Sequence, residues 1–244
     1  RPGSLKNRLP YNLIGGLNEY YQKPELKLND NIPDLIFEKD SIAMVLVLGE
    51  TVRADHIGLN GYNRNTTPLL SKEDNLISFK YLYTNNTYTG ASVPQILTDQ
   101  DLETNMGVFT SLYSVLKKAN FKTTWIGNQT LEKSFEPIVK TNNEIILVDK
   151  FRSVFSFDKA LDEVMLTPLD SILSSNYRQC ITIQMIGSHW WYENRYTQEY
   201  RLFTPVIDSK YIPSLTREQM INSYDNTIVY LDFFLKEIIN RLKK

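Results

Sequence analysis

The chain has 244 residues, with 27 Lys and Arg against 28 Asp and Glu for a formal net charge of −1, and 42% of its residues are hydrophobic. That balance excludes wholesale disorder, fibrous repeats and a nucleic-acid binder, which needs a basic face to neutralise phosphates; a local basic pocket stays open. The length accommodates one large α/β domain or two small ones, each with room for a core.

The longest apolar stretch, Ile42 to Leu48, falls far short of the roughly 20 residues that span a bilayer. No charged-then-apolar signal segment opens the chain and its first residue is Arg, so a processed product or a piece of something longer is expected. Cys180 stands alone, which excludes an internal disulfide without fixing the redox compartment.

In chain order, residues 1–40 read as a connector. A turn-like Arg1-Pro2-Gly3-Ser4 precedes a short amphipathic stretch from Leu9, and Pro24 and Pro33 limit any helix in the polar run that follows. Ile42 to Leu48 is continuous, apolar and too short for a typical helix, the pattern of a strand buried on both faces of a parallel sheet. Similar runs recur at Thr123–Gly127, Glu144–Val148 and Cys180–Ile186. Helical patterns separate them. Phe109 to Ala119 is amphipathic with Asn120 as its C′ residue, and Ala160 to Leu173 breaks near Thr167-Pro168. The last segment has Thr216 as N-cap and Gln219 at the capping-box position. Met220, Tyr224, Ile228, Leu231, Leu235, Ile238 and Leu242 then form an apolar stripe, with basic residues at the end favoured by the helix dipole. Alternating strands and helices predict an α/β fold, a central mostly parallel sheet flanked by helices on both faces.

Sites in such sheets form beyond the C-terminal ends of the strands. After the first strand stands Glu50, in Gly49-Glu50-Thr51-Val52-Arg53-Ala54-Asp55-His56. A carboxylate there costs desolvation energy unless it is paired. It pairs with Arg53, caps the next helix, or binds a cation. The run Asn85 to Pro94 precedes a short helix. Pro94 belongs in or near its first turn, so the helix starts between Thr89 and Ser92. A hydroxyl there is either an N-cap or part of an anion site. Trp125 to Lys133 places Thr130 and Lys133 three residues apart, as a phosphate grip or a solvated loop. His189, one of two histidines, follows the last buried run and is a structural residue or a catalyst.

Taken in order, these runs resemble the catalytic domain of bacterial phosphoethanolamine transferases, the family of lipid A modifying and mobile colistin-resistance enzymes in the alkaline phosphatase/sulfatase superfamily. The resemblance rests first on Val45 to His56 with its Glu-Thr-x-Arg-Ala-Asp-His run, continued through Leu59-Asn60-Gly61-Tyr62-Asn63-Arg64-Asn65-Thr66-Thr67-Pro68. Thr89 with Ser92-Val93-Pro94 is similar to the family's nucleophile loop, and Trp125 to Lys133 to its substrate loop. Asp162-Glu163-Val164 is similar to the following helix, and Tyr224-Asp225-Asn226-Thr227 with Tyr230 and Asp232 to the late helix. Leu9-Pro10-Tyr11-Asn12 looks like the segment after the family's membrane domain.

The resemblance implies that Glu50 is a zinc ligand and that Thr89 is both ligand and nucleophile, forming a phosphothreonine with phosphoethanolamine taken from phosphatidylethanolamine. It implies that Thr130, Lys133 and His189 bind substrate. The acceptor is lipid A, a core sugar or a surface protein. The resemblance implies an enzyme held in the inner membrane by an N-terminal domain, with its catalytic domain in the periplasm, and a monomer is expected. On this reading residues 1–40 are a linker after a missing membrane domain, and 41–244 a catalytic domain lacking its C-terminal part. The family's Asp-His zinc ligands are absent, so the segment alone is expected to be inactive. Trp190-Trp191 replaces the family's His-Gly-Pro, pointing to a more apolar pocket rim, and the family's disulfides cannot form. A sulfatase-like phosphoglycerol transferase or hydrolase, and a catalytically inactive binding domain, are the alternatives.

Overall fold

A computed structural model describes residues 26–38, 41–101, 107–152, 156, 158–175 and 178–243. Four strands form one parallel sheet: β2 (Ile42–Leu48), β4 (Lys122–Gly127), β5 (Glu144–Leu147) and β6 (Arg178–Gln184), in the spatial order β2-β6-β4-β5. Strands β1 (Lys27–Leu28) and β3 (Val108–Phe109) form a separate parallel pair. The register pairs Leu48 with Gln184 and Gln184 with Gly127. The loops that follow β2, β6 and β4 therefore leave the sheet level with one another, which brings three of the candidate runs together.

Alternation along the strands divides the core. One face presents Ile126, Ile181, Ile183 and Met185 to α4 (Leu166–Leu173) and to α5 (Arg217–Leu242) through Tyr224, Ile228, Leu231, Phe234 and Ile238. The other presents Trp125, with Leu46 and Leu48, to α1 (Thr89–Leu97), α2 (Leu112–Lys118) and α3 (Glu136–Val139). Helices thus cover both faces, as the α/β reading requires.

Local rules account for several ends. In α2, Asn120 takes a left-handed φ of 61°. Its N–H donates to Lys117 O, and that of Phe121 to Leu116 O, at 3.0 Å each, closing a Schellman motif. α5 opens with the full capping box of Thr216 and Gln219. Cys180 is buried in β6.

Other expectations change. β2 is a strand, but among the described residues it is an edge strand paired only with β6, and Met44 is 36% exposed. An apolar run does not by itself distinguish an inner strand from an edge. α1 begins at Thr89, within the range expected from Pro94, and Pro94 itself lies just past the first turn. The break expected near Thr167-Pro168 falls just before them, between Met165 and Leu166, rather than at Pro168 itself. Pro168 occupies the first turn of α4, where an N–H has no partner within the helix, and the preceding Asp162–Met165 turn is 3-10. Phe109 belongs to β3, so the helix expected from residue 109 starts at Leu112 with Ser111 as its cap. Residues 26–38, in the stretch read as a connector, include no buried residue, but Leu26 and Leu28 pack against the second core and Phe37 meets the Phe121 ring at 5.2 Å. The Leu9-Pro10-Tyr11-Asn12 run lies outside the described residues.

The apolar stripe of α5 is half of that helix's story. Asn222, Ser223, Asp225, Asn226, Thr227 and Asp232 are buried as well. Asp225 accepts from Tyr62 Oη and Arg64 Nη1 at 2.9 Å each and lies 2.6 Å from His56 Nδ1. Asp232 accepts from the backbone N–H groups of Leu69 and Leu70, and Asn226 Oδ1 from those of Leu202 and Phe203. The polar side of α5 therefore holds the long loop that leaves Glu50. No helix among the described residues is long and apolar enough to cross a membrane.

Phe234 has no exposed surface, whereas Leu242, in the same helix, is 43% exposed. Phe234→Ala is expected to lower the unfolding free energy by about 3–5 kcal/mol, and Leu242→Ala by less than about 1 kcal/mol, in urea titrations.

Candidate active site

Glu50 follows β2, and Thr89 is the first residue of α1. The Thr89 hydroxyl donates to Glu50 Oε2 at 2.8 Å, and the Thr51 hydroxyl to Oε1 at 2.8 Å. Tyr88 precedes α1 in an extended conformation and provides no side-chain cap. The Thr89 hydroxyl is not spent on capping and points across to the carboxylate. Gln129, buried just beyond β4, places Nε2 3.5 Å from the same Glu50 oxygen and also donates to Met185 O. One carboxylate oxygen is thus approached from α1 and from the β4 loop.

The backbone around Glu50 is tightly specified. Thr51 has a φ of 55°, unusual for a β-branched residue. Its carbonyl accepts from the Tyr224 hydroxyl at 2.8 Å, and the same hydroxyl accepts from Arg53 N–H at 2.8 Å. Gly187, with φ 49°, runs so close that a Cβ there would stand 2.8 Å from Glu50 O and 3.0 Å from Glu50 N. Ser188 N–H donates to Glu50 O at 3.0 Å. This turn is anchored from behind by Asp162, which accepts from the N–H groups of Ile186 and Gly187 at 2.8 Å and from Asn128 Nδ2 at 3.0 Å. Burial pushes the Asp162 carboxyl above the usual range, and those donors pull the other way. Tyr62 is pushed up to about 12 by burial and by Asp225 beside it.

The two structural alternatives for Glu50 do not hold. Arg53 pairs with Asp55 instead, at 2.9 and 2.6 Å, and holds that carboxyl below the usual range. The next helical turn, Ala54–His56, has no side-chain cap. Thr89 is likewise not an N-cap. Thr130 is half-buried and Lys133 exposed, in a loop that packs on the start of α1: Glu132 Oε2 and Ser134 Oγ lie 2.5 and 2.8 Å from where a Gly90 Cβ would be. His189 is half-buried beyond Ser188, its Nδ1 2.8 Å from Trp190 O. The buried Arg195 donates to His189 O at 2.8 Å and so braces that loop. The Trp190 ring meets Trp191 and Tyr192 at 5.0 Å each, an aromatic rim consistent with the expected apolar character.

Gln129, Asp162, Gly187 and Tyr224 have parts in this arrangement that sequence reasoning did not assign. Gly187, a lone glycine directly after an apolar strand, was the clearest available signal.

Glu50 and Thr89 offer a hard carboxylate and a hydroxyl converging on one point, a donor pair that fits part of a zinc site. Zinc takes three or four protein ligands in structural and catalytic sites. Among the described residues no group of three or more His, Cys, Asp and Glu side chains is placed to hold a metal.

The description of the sulfatase family matches residues 43–244, and the chain belongs to that family. Within it, the chain is 32% identical over 213 residues to phosphoethanolamine transferase EptA of Escherichia coli K12, covering 85% of this chain and 38% of that protein. The chain thus spans well under half the length of this curated relative. The integral membrane lipooligosaccharide phosphoethanolamine transferase A of Neisseria meningitidis superposes with a TM-score of 0.74 at 29% identity, over 95% of this chain and 46% of that one. The C-terminal periplasmic domain of Escherichia coli EptC, solved in complex with zinc, superposes at 0.72 with 25% identity, over 84% of this chain and 60% of that one.

Gly187→Ala forces a side chain into a left-handed position against the Glu50 backbone, and is expected to cost about 2 kcal/mol or more in chemical denaturation. The 244-residue segment by itself is expected to lose zinc on dialysis against a mild chelator; stoichiometric metal retained at a site that includes Glu50 contradicts this.

Proposed function

We propose that this chain is the catalytic part of a membrane-associated, zinc-dependent phosphoethanolamine transferase acting in the periplasm. The observation that carries the reading is the 2.8 Å hydrogen bond from the Thr89 hydroxyl to Glu50 at the start of α1. That bond aims the nucleophilic hydroxyl, and the first amides of a helix favour the oxygens of an incoming phosphoryl group.

In the first half-reaction Thr89 Oγ bonds to the phosphorus of phosphatidylethanolamine. The bond from phosphorus to the diacylglycerol oxygen breaks, and that oxygen leaves as the alcohol, taking up a proton. The Thr89 hydroxyl gives up its proton to solvent, which balances the proton taken up by the leaving alcohol, and Glu50 marks the side to which that hydroxyl points. In the second, an acceptor oxygen on lipid A, a core sugar or a surface protein bonds to phosphorus, the bond from phosphorus to Thr89 Oγ breaks, and Thr89 Oγ takes up a proton to become a hydroxyl again, a hydroxyl acceptor losing its own. Thr130 and Lys133 hold the donor's phosphate, and His189 faces the substrate. Zinc would be held by Glu50 and Thr89 with donors from outside the described residues, and when bound it lowers the pKa of a coordinated hydroxyl. The relatives' names support the reaction class, and the zinc complex of the EptC domain supports the metal.

In the enzyme as its cell makes it, Thr89→Ala is expected to abolish transfer of phosphoethanolamine, followed by mass spectrometry of envelope lipids. Modification that persists in this variant overturns the assignment of the nucleophile.

A further inference from the structure

We infer that Glu132 is the carboxylate that recognises the ammonium group of the donor, making the site selective for aminoalkyl phosphates; this rests on the transferase reading above. Glu132 belongs to the loop after β4, and its carboxylate lies against the first turn of α1, the helix that begins with Thr89. Its Oε2 lies 2.5 Å, and its carboxyl carbon 3.6 Å, from the point a Gly90 side chain would occupy. A side chain at Gly90 would have to displace this carboxylate and the Ser134 hydroxyl, 2.8 Å from the same point.

The sign of the charge is the informative part. A carboxylate beside the point of phosphoryl transfer repels a bare phosphate group and works against the helix amides that attract one. It suits a zwitterion. In phosphoethanolamine the ammonium is four bonds from phosphorus. With phosphorus at Thr89 Oγ, the nitrogen is within reach of the residues flanking Gly90. The loop after β4 carries both signs on consecutive residues, Glu132 for the ammonium and Lys133 for the phosphoryl oxygens. Glu132 is exposed, so a ligand entering from solvent reaches it. A hydrogen-bonding site for a charged group discriminates strongly against an analogue that lacks it.

The experiment compares phosphatidylethanolamine with phosphatidylpropanol, in which a methyl replaces the ammonium, as donors for the membrane-bound enzyme. Lipid mass spectrometry reads the product, and thermal unfolding reads stability. Wild-type protein is expected to prefer the ethanolamine donor, and Glu132→Gln to reduce that preference about 10-fold or more, through KM. Glu132→Asp, which keeps the charge, is expected to retain part of it and keeps the proposal testable if the glutamine variant fails to fold. An undiminished preference in Glu132→Gln overturns the assignment of Glu132 and leaves the transferase reading standing. So does an equal loss with both donors accompanied by a lower Tm, the outcome for a carboxylate that only favours the helix dipole. Wild-type protein that uses both donors equally overturns the ammonium site as a whole, and wild-type protein that uses neither overturns the transferase reading itself.

Discussion

A carboxylate placed inside a protein has to be surrounded by donors, and Asp225 is the place where this fold meets that demand. Its side chain has no exposed surface, and His56, Tyr62 and Arg64 all turn toward it. Leaving such a group without partners costs several kcal/mol, so the loop between β2 and α1 is drawn onto α5. Asp232 repeats the device one side of the loop further on, through the amides of Leu69 and Leu70. The helix that packs the hydrophobic core on one side thereby also sets the path of the chain leaving Glu50.

The loops at the end of the sheet then constrain one another. Tyr224, from α5, holds both sides of the strained Thr51 backbone. Asp162 holds the turn at Ile186-Gly187, and that turn lies directly on Glu50. A reacting group misplaced by about an ångström loses much of its rate advantage. Here, groups on four separate elements hold the carboxylate in place: α5, the 162 turn, and the loops after β4 and β6. Local strain at Thr51 and Gly187 is tolerated because this surrounding structure over-determines it.

Charge near the start of α1 is locally divided: the Glu132 carboxylate lies against Gly90, and the next residue, Lys133, carries the opposite sign. The aromatic rim at Trp190, Trp191 and Tyr192 is braced from beneath by Arg195, whose burial requires the carbonyl oxygens of His189 and Trp190 as acceptors. A single formal charge on the whole chain conceals this local separation.

Much of this was legible from residues alone. A continuous apolar run located β2, and runs rich in branched apolar or aromatic residues located the other three strands of the main sheet, because burial favours such side chains whatever the neighbours are. Thr216 with Gln219, and Asn120, marked helix ends because capping depends on residues within one turn. The Glu-Thr-x-Arg-Ala-Asp-His run pointed to Glu50, and the turn before Val93-Pro94 to Thr89. Local pattern could not show that β2 is an edge strand, or that Arg53 turns away from Glu50 to Asp55. Those outcomes depend on which distant segment supplies a neighbour. The convergence of Glu50, Thr89 and Gln129, with Asp162 and Gly187 behind them, was decided only in three dimensions. The register that aligns Leu48, Gln184 and Gly127 brings together residues far apart in the chain, and no spacing along the sequence encodes that distance.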